Sequence, residues 1–333
     1  MTSLRIQFFL ASLCIFTMGV QGWASGRPAA SPCPARPAIA NDLEAGKYAE
    51  TTSVLQQEVS KNPNNAQATL WLARSFLQLG NYDQAVAFAE RAVDLSPDCS
   101  ESHFWLARSY GLKAGKTRSF WLARKARQEY ETAVQIDPGN LAARRDLMEF
   151  YLQAPWVLGG SKEKAWAQVK AIAVRNATEG DLARAMYWQD LNNTALAARE
   201  YQKVMESKPE RADDYFQVAD FYEGDRNPAE IETAVRAASS LAPGDPRVDY
   251  YSAVANVMKG QALNRAEQDL KVYLVKTPPR NDFPPHASAH DWLGRIYEIW
   301  GKKQQAIEQY RSALRLSPDN QPARDALRRL DAN

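Results

Sequence analysis

Residues 66–99 read AQATLWLARSFLQLGNYDQAVAFAERAVDLSPDC, a pattern that predicts two helices joined by a tight turn. Apolar residues around Leu72 and Phe76 recur at the three- and four-residue spacing of one helix face. Gly80 interrupts this pattern, and a second helical stretch follows it. Pro97 ends the second helix, because the residue before a proline is disfavoured in the α conformation. The stretch therefore predicts an αα-hairpin of 34 residues.

The same unit recurs along the chain, since prolines follow helical stretches at intervals of 34, 41, 71, 34, 35 and 40 residues. These intervals fit a repeating unit of 34 residues with insertions at a few places. A single hairpin of this size cannot bury its apolar face, so the units must stack on one another. The prolines that mark the ends of units are Pro63, Pro97, Pro138, Pro209, Pro243, Pro278 and Pro318.

The residues at fixed positions of these units resemble those of the tetratricopeptide repeat (TPR) family. The clearest unit carries Leu72, Ala73, Phe76, Gly80, Tyr82, Ala85, Ala89, Ala92 and Pro97, and the last unit carries Leu293, Gly294, Tyr297, Gly301, Ala306, Tyr310, Ala313 and Pro318. The unit at 178–211 lacks the turn glycine. The resemblance implies an all-α, right-handed α-solenoid of about seven or eight helix pairs, ended by a capping helix.

The first 24 residues have the composition of a secretory signal peptide. Arg5 precedes an apolar stretch at 6–20, and Gly22 and Ala24 are spaced like the residues before a signal-peptidase site. The stretch is too short for an ordinary membrane span. We therefore predict that the protein is exported, to a periplasm or outside the cell, with an uncleaved anchor as the alternative.

The rest of the chain divides into a proline-rich linker at 25–36 and a TPR solenoid at 37–332. Insertions into the repeat are predicted near 113–120, 153–160 and 278–286. The run FYLQAPWVLGG at the second insertion resembles a stretch of exported bacterial TPR proteins. With 41 Lys and Arg against 39 Asp and Glu, the charge balance gives no reason to expect a nucleic-acid partner.

Two cysteines, Cys33 and Cys99, would remain after removal of a signal peptide. They could pair in an oxidising compartment. Stacked helix layers would place them roughly 20 Å apart, whereas a disulfide needs Cα atoms within about 7 Å. Only a linker folded back along the solenoid could close that gap, so we do not expect this disulfide.

The run Trp-Leu-Ala-Arg begins at Trp71, Trp105 and Trp121, and Trp-Leu-Gly-Arg begins at Trp292. Three of these four copies occupy positions 6 to 9 of their units. In TPR proteins position 9 faces the concave groove in which extended peptides bind, so the resemblance implies that the arginines lie in that groove. The predicted peptide-binding residues are Arg74, Arg108, Arg145, Leu70 and Phe104.

Arginine suits bidentate recognition of a carboxylate, which favours an anion-binding groove. In the alternative interpretation, Arg74 and Arg108 pair with acids such as Glu101 or Glu149 and hold the shape of the groove. Farther along, the groove becomes acidic, and the acidic and basic residues expected there are Asp220, Glu223, Asp291 and Arg295.

The copy at Trp121 lies out of phase, because the first insertion adds about two helical turns. We predict that Ser119 caps a second helix extended at its beginning. The second insertion lies on the same edge of the solenoid, so its apolar residues should meet those of the first. The predicted edge residues are Phe120, Trp121, Trp156 and Leu158. They form either a local cap or a docking surface for a partner.

The sequence offers no set of residues typical of an enzyme. His286 and His290 have the spacing of two zinc ligands, but no HExxH motif is present, and a solvated helix end is the alternative. We therefore predict no cofactor and no catalytic site. The predicted function is a scaffold that binds a peptide or an envelope protein in the groove. The alternative is a subunit of an envelope assembly that docks through the edge at Trp121 and Trp156.

Overall fold

A computed structural model describes residues 37–44, 46–279 and 283–331, and this part of the chain contains helices and no strand. The predicted signal peptide at 1–24 and linker at 25–36 lie outside the described residues. The helices are α1 Pro37–Glu44, α2 Tyr48–Lys61, α3 Ala66–Gln78, α4 Tyr82–Leu95, α5 Ser100–Thr117, α6 Phe120–Ile136, α7 Leu141–Gln153, α8 Lys162–Ala173, α9 Ala177–Asp190, α10 Thr194–Ser207, α11 Ala212–Gly224, α12 Pro228–Leu241, α13 Pro246–Lys259, α14 Leu263–Lys276, α15 His286–Ile299, α16 Lys303–Leu316 and α17 Gln321–Asp331.

Helices α1 to α16 form eight successive hairpins, and α17 packs on the last of them. We call the first helix of each hairpin helix A and the second helix B. Each helix packs on the helices before and after it in the chain, and several helices A also touch the next helix A. Successive helices B make at most marginal contact in the described part. Helices A therefore form the inner side of the array, and the predicted all-α helical-repeat solenoid is confirmed.

Seven of the 17 described α-helices are preceded by an asparagine whose side-chain oxygen accepts a hydrogen bond from the backbone amide of the third residue after it. This distance is 3.0 Å at Asn65, Asn140 and Asn176. The cap satisfies one of the backbone N–H groups that lack a partner in the first turn of a helix. Helix ends along the array are therefore fixed by local chemistry as well as by packing.

The turn between helices A and B requires a left-handed residue. Gly80 and Gly301 fill this place with φ values of 70° and 69°. In the unit that lacks the glycine, Asn192 takes the same conformation with φ 57°. Asparagine tolerates this region better than most residues, which explains how the unit keeps its turn.

Small residues lie where helices A and B cross. Ala73, Ala89 and Ala107 have almost no exposed surface. At Gly294 there is no room for a side chain, because a Cβ atom would lie 2.6 Å from the Tyr310 ring. The glycine of the Trp-Leu-Gly-Arg copy thus makes room for a large ring on the facing helix.

The first insertion lengthens both helices of its hairpin. Helix α5 has 18 residues and α6 has 17, whereas most other helices have 13 or 14. Helix α6 begins at Phe120, and the Ser119 hydroxyl accepts a hydrogen bond from the Leu122 amide at 3.3 Å. The predicted helix start is confirmed, but the extension of α5 to Thr117 was not predicted.

The second insertion is a compact turn between α7 and α8. It contains a short 3₁₀ helix, Trp156–Leu158, and the Ser161 amide donates to the Tyr151 carbonyl at 2.8 Å. At Gly160 a side chain would collide with the backbone carbonyl of Ala154. The loop between α14 and α15 is the third insertion, and residues 280–282 within it are outside the described ranges.

Cys99 is disulfide-bonded, which the estimated distance along the solenoid did not lead us to expect. The two other cysteines, Cys14 and Cys33, lie outside the described residues. The expected separation holds only where the chain before the first hairpin continues the direction of the stack.

Within the described ranges, no helix combines the length and the apolar character required to cross a bilayer.

We predict that Ala89→Leu lowers the free energy of unfolding by about 1–3 kcal/mol, because extra methylenes overpack a fully closed helix crossing. The measurement is the urea midpoint. Ala87→Leu is the matched control, since Ala87 lies on the exposed face of the same helix α4. A midpoint for Ala89→Leu equal to that of the control would contradict the assigned packing.

Candidate functional site

The arginine at position 9 of a unit stacks on tryptophans of two successive hairpins. The guanidinium carbon of Arg74 lies 3.8 Å from the ring centre of Trp71 in its own helix α3. It lies 4.2 Å from the ring centre of Trp105 in α5. Such cation–π contacts stabilise a pair by about 0.5–2 kcal/mol. The repeated Trp-Leu-Ala-Arg run therefore joins one hairpin to the next.

Arg108 occupies the equivalent place one unit later. Its guanidinium carbon lies 5.0 Å from the ring centre of Trp105, and its Nε lies 3.3 Å from Oδ2 of Asp146. Asp146 of α7 stands where the preceding hairpin has a tryptophan, so an ion pair replaces the ring contact. Arg74 and Arg108 thus both contact the Trp105 ring, and their side chains are neighbours.

The other predicted groove residues have different surroundings. Leu70 and Phe104 are buried, with 7% and 4% of their surface exposed, and they pack in the core between helices A. They do not form an open apolar floor. The Arg145 side chain pairs with Glu179, with Nη1 and Oε2 3.4 Å apart. Glu101, proposed above as an arginine partner, accepts a hydrogen bond from the Trp105 indole at 3.0 Å.

Four carboxylates lie on α7 and α11, the helices A of the fourth and sixth hairpins, and we call them the acidic wall. The acidic wall consists of Asp146, Glu149, Asp220 and Glu223. Within it, Glu223 Oε1 accepts hydrogen bonds from the Tyr250 hydroxyl at 3.0 Å and from the Trp292 indole at 2.7 Å. Because Trp292 belongs to α15, this carboxylate of α11 reaches past α13 to the second hairpin along. The inner side is therefore strongly curved at this place.

The protein environment raises the pKa of the acidic wall. Burial raises the pKa of Glu149 to about 7, and the negative charge of Asp146 adds to the effect. Burial also raises the pKa of Glu223 to about 7, and Asp220 contributes through its own charge. Asp220 keeps contact with solvent, yet the surrounding walls of the groove raise its pKa as well. Ionised carboxylates are therefore unfavourable at this site without a counter-charge.

Three of the four acids form no ion pair, although Arg108 and Arg145 act on Glu149, and Arg295 acts on Glu223, from farther away. Only Asp146 pairs with an arginine, and no Lys or Arg in the described part forms an ion pair with Glu149, Asp220 or Glu223. The sequence predicted Asp220 and Glu223 in the groove and Glu149 as an arginine partner, but it did not indicate that burial would raise their pKa values. The signal it offered was the change from tryptophan to Asp146 at position 6.

A recess with two arginines lies toward the carboxyl-terminal end of the inner side. Arg226 and Arg295 line it together with Trp292, Met258 and Ile299. The Arg295 guanidinium lies 4.2 Å from the Trp292 ring centre and 2.9 Å from Oδ2 of Asp291. The Arg–Trp stacking of the first hairpins is thus repeated in the last one.

The histidines have protein partners. His286 Nε2 lies 2.9 Å from the Thr277 carbonyl oxygen, and His290 Nδ1 lies 2.8 Å from Oε1 of Gln309. Among the described residues, no group of three or more His, Cys, Asp or Glu side chains could hold a metal ion.

The predicted edge residues differ in exposure. Leu158 is buried, whereas Phe120, Trp121 and Trp156 are exposed over 42%, 63% and 78% of their surface. Helix α6 contacts the 3₁₀ helix, and the Lys125 ammonium lies 4.1 Å from the Trp121 ring centre. A local cap that hides its own tryptophans is therefore not what the two insertions form.

Comparison with known proteins gives two family matches. A family model described as tetratricopeptide repeat matches residues 42–110, and another with the same description matches residues 287–320. No curated protein matches the chain significantly.

Several solved structures share the fold. The Cut9–Hcn1 hetero-tetramer of the APC/C matches with a TM-score of 0.53 and 15% identity, over 85% of this chain and 52% of that chain. This chain thus spans about half the length of that structure. A tetratricopeptide repeat protein from Parabacteroides merdae matches with a TM-score of 0.48 and 17% identity, over 85% of this chain and 100% of that one. The two family matches lie near the two ends of one continuous array of helix pairs, so the chain carries tetratricopeptide repeats at both ends of that array.

Proposed function

We propose that the protein is a non-enzymatic scaffold that binds an extended segment of a partner protein along the inner side of the solenoid. Tetratricopeptide repeats generally mediate protein–protein interactions. The single observation that carries the proposal is the set of inward-facing carboxylates without an ion pair, Glu149, Asp220 and Glu223. Carboxylates with raised pKa values and no ion pair are common at functional sites, which favours a role in binding.

The acidic wall indicates a basic side chain on the ligand. A lysine or arginine placed among these carboxylates would supply the counter-charge that the protein lacks, and a partly enclosed site strengthens that attraction. Arg108 and Arg145 already pair with Asp146 and Glu179. These pairs support the interpretation in which the arginines hold the shape of the groove. In addition to this structural role, we propose that Arg74 and Arg108 contact an acidic group farther along the same segment.

The proposed location is a periplasm or the exterior of the cell. The signal-peptide composition of residues 1–24 supports export, although these residues are outside the described ranges. The disulfide at Cys99 also supports it, because disulfides persist in oxidising compartments. The partner would accordingly be a protein or peptide of the cell envelope.

We predict that the triple variant Glu149→Gln, Asp220→Asn and Glu223→Gln captures less of its partner from an envelope extract. The expected decrease is about tenfold or more, which corresponds to the loss of one buried ion pair with the ligand. The amides keep the shape of the carboxylates and remove the charge, so Glu223→Gln still accepts from the Trp292 indole. Capture is measured by crosslinking in that extract followed by mass spectrometry, and the crosslinked segment should carry a lysine or arginine.

The matched control is Glu206→Gln, Glu210→Gln and Asp319→Asn, which removes three exposed acids outside the groove. The double variant Arg74→Ala and Arg108→Ala tests the arginine end in the same experiment. Equal capture by the acidic-wall triple variant, the arginine double variant and the control would rule out binding in the groove.

The raised pKa values predict how stability depends on pH. Folded Glu149 and Glu223 hold their protons up to a pKa of about 7, whereas the unfolded carboxyls release theirs near 4.5. Between these values the folded state binds more protons, so the contribution of both residues to stability falls as pH rises. The free energy of unfolding of the wild type should therefore decrease by about 2–3 kcal/mol for each carboxyl, about 5 kcal/mol for the two, relative to Glu149→Gln/Glu223→Gln between pH 5 and pH 8. Urea titrations at several pH values measure this difference, and parallel curves would show that these carboxyls titrate normally.

A further inference from the structure

Two segments at one edge of the solenoid carry a concentrated positive charge. Residues 113–127 contain six Lys and Arg and no acid, and residues 156–164 contain two lysines and one glutamate. The whole chain has 41 Lys and Arg against 39 Asp and Glu, so the rest of it has more acids than cations. Both segments lie at the turns between helices A and B of the third and fourth hairpins, where α6 contacts the 3₁₀ helix. The charge is therefore local to this edge.

The same edge carries every exposed tryptophan and phenylalanine of the described part of the chain. These are Phe120, Trp121 and Trp156, and Val157 beside them is exposed over 60% of its surface. We call Phe120, Trp121, Trp156 and Val157 the aromatic edge. The other exposed large apolar residues of the described ranges are single aliphatic side chains, such as Val174 and Val275. Three aromatic rings exposed together are not expected of an ordinary soluble surface.

Five of the cations around the aromatic edge have no ion pair within the described ranges, and all five are exposed. They are Lys116, Arg118, Arg124, Lys162 and Lys164. The remaining three have acidic neighbours, since Lys113 pairs with Asp83 at 2.7 Å, Lys125 lies 3.6 Å from Glu90, and Arg127 lies 3.7 Å from Glu131. After this neutralisation five exposed cations without an ion pair remain beside the rings, and two of them, Lys116 and Lys164, also lie 5.4 Å from the ring centres of Tyr82 and Tyr151.

The backbone holds the aromatic edge in a fixed shape. The Gly160 amide donates to the Pro155 carbonyl at 3.1 Å, and Leu158 anchors the turn in the core. Gly159 has a φ of 98°, a conformation that favours glycine. Because Leu158 holds this hydrogen-bonded turn in the core, Trp156 and Val157 lie on its outer side. A surface ordered in this way needs no conformational change to meet a flat partner.

We propose that the aromatic edge and its surrounding cations bind the surface of a membrane that contains anionic lipids. Tryptophan prefers the interface between lipid headgroups and acyl chains, and lysine and arginine are attracted to anionic headgroups. Protein interfaces enrich tryptophan but are depleted of lysine. Three lysines among the five free cations therefore favour a lipid surface over a protein. The acidic wall lies on the inner side, on helices α7 and α11, so a membrane-bound protein would keep its groove open.

The test is hydroxyl-radical footprinting of the full chain with two kinds of vesicle. One is phosphatidylcholine alone, and the other contains about one phosphatidylglycerol in four lipids. Because oxidation is read residue by residue, binding through the apolar N-terminal stretch does not obscure the result. We expect anionic vesicles to slow oxidation of Trp121 and Trp156 by roughly threefold or more, because rings at the lipid interface are withdrawn from water. Val174 and Val275 lie at the carboxyl-terminal ends of α8 and α14, away from the edge formed by the turns between helices A and B. Their oxidation should not change.

Charge variants give the second measurement. Each cation near an anionic surface strengthens binding about fivefold, so Arg118→Gln/Arg124→Gln should raise the lipid concentration at half-protection about 25-fold. The control Arg236→Gln/Arg311→Gln removes two exposed cations elsewhere and should leave it unchanged. The proposal is overturned if neither vesicle protects the tryptophans from oxidation. Protection by an added envelope protein would not rescue it. It is also overturned if both vesicles protect them equally, or if both charge variants behave alike.

Discussion

A two-helix hairpin of this size has more apolar surface than it can cover by itself, and this limit determines the rest of the structure. Each hairpin must cover its neighbour, and the array must end in a helix such as α17 with a polar outer face. Alanine and glycine at the crossings let the helices approach closely enough for that burial. On the inner side, only the side chains that are not buried between stacked helices A are available to contact a ligand.

Stacking also explains which features the sequence predicts and which it does not. The hairpins, their turns and the start of α6 at Phe120 follow from spacing and capping, which act within a few residues. The stacking of Arg74 on Trp105 joins residues of two hairpins, and the spacing inside one unit does not specify it. Leu70 and Phe104 are buried for the same reason, because the next helix A covers them.

The electrostatic character of the inner side was predictable only in outline. Acids at positions 220 and 223 were visible in the sequence, but their raised pKa depends on walls supplied by other hairpins. The disulfide at Cys99 shows a similar limit, since the spacing of the repeat does not specify it. The groove and the aromatic edge use different parts of each hairpin, so one chain can hold two independent surfaces.

The hydrogen bonds of Glu223 have a mechanical consequence. A solenoid of stacked units behaves like a coil spring, whose radius changes when neighbouring turns tilt slightly. The Glu223 carboxylate joins α11 to α15 across the intervening hairpin. This connection limits changes in the radius of the solenoid at that place. Elastic bending is therefore concentrated in the hairpins outside this segment, and the compliance of the molecule is uneven along its length.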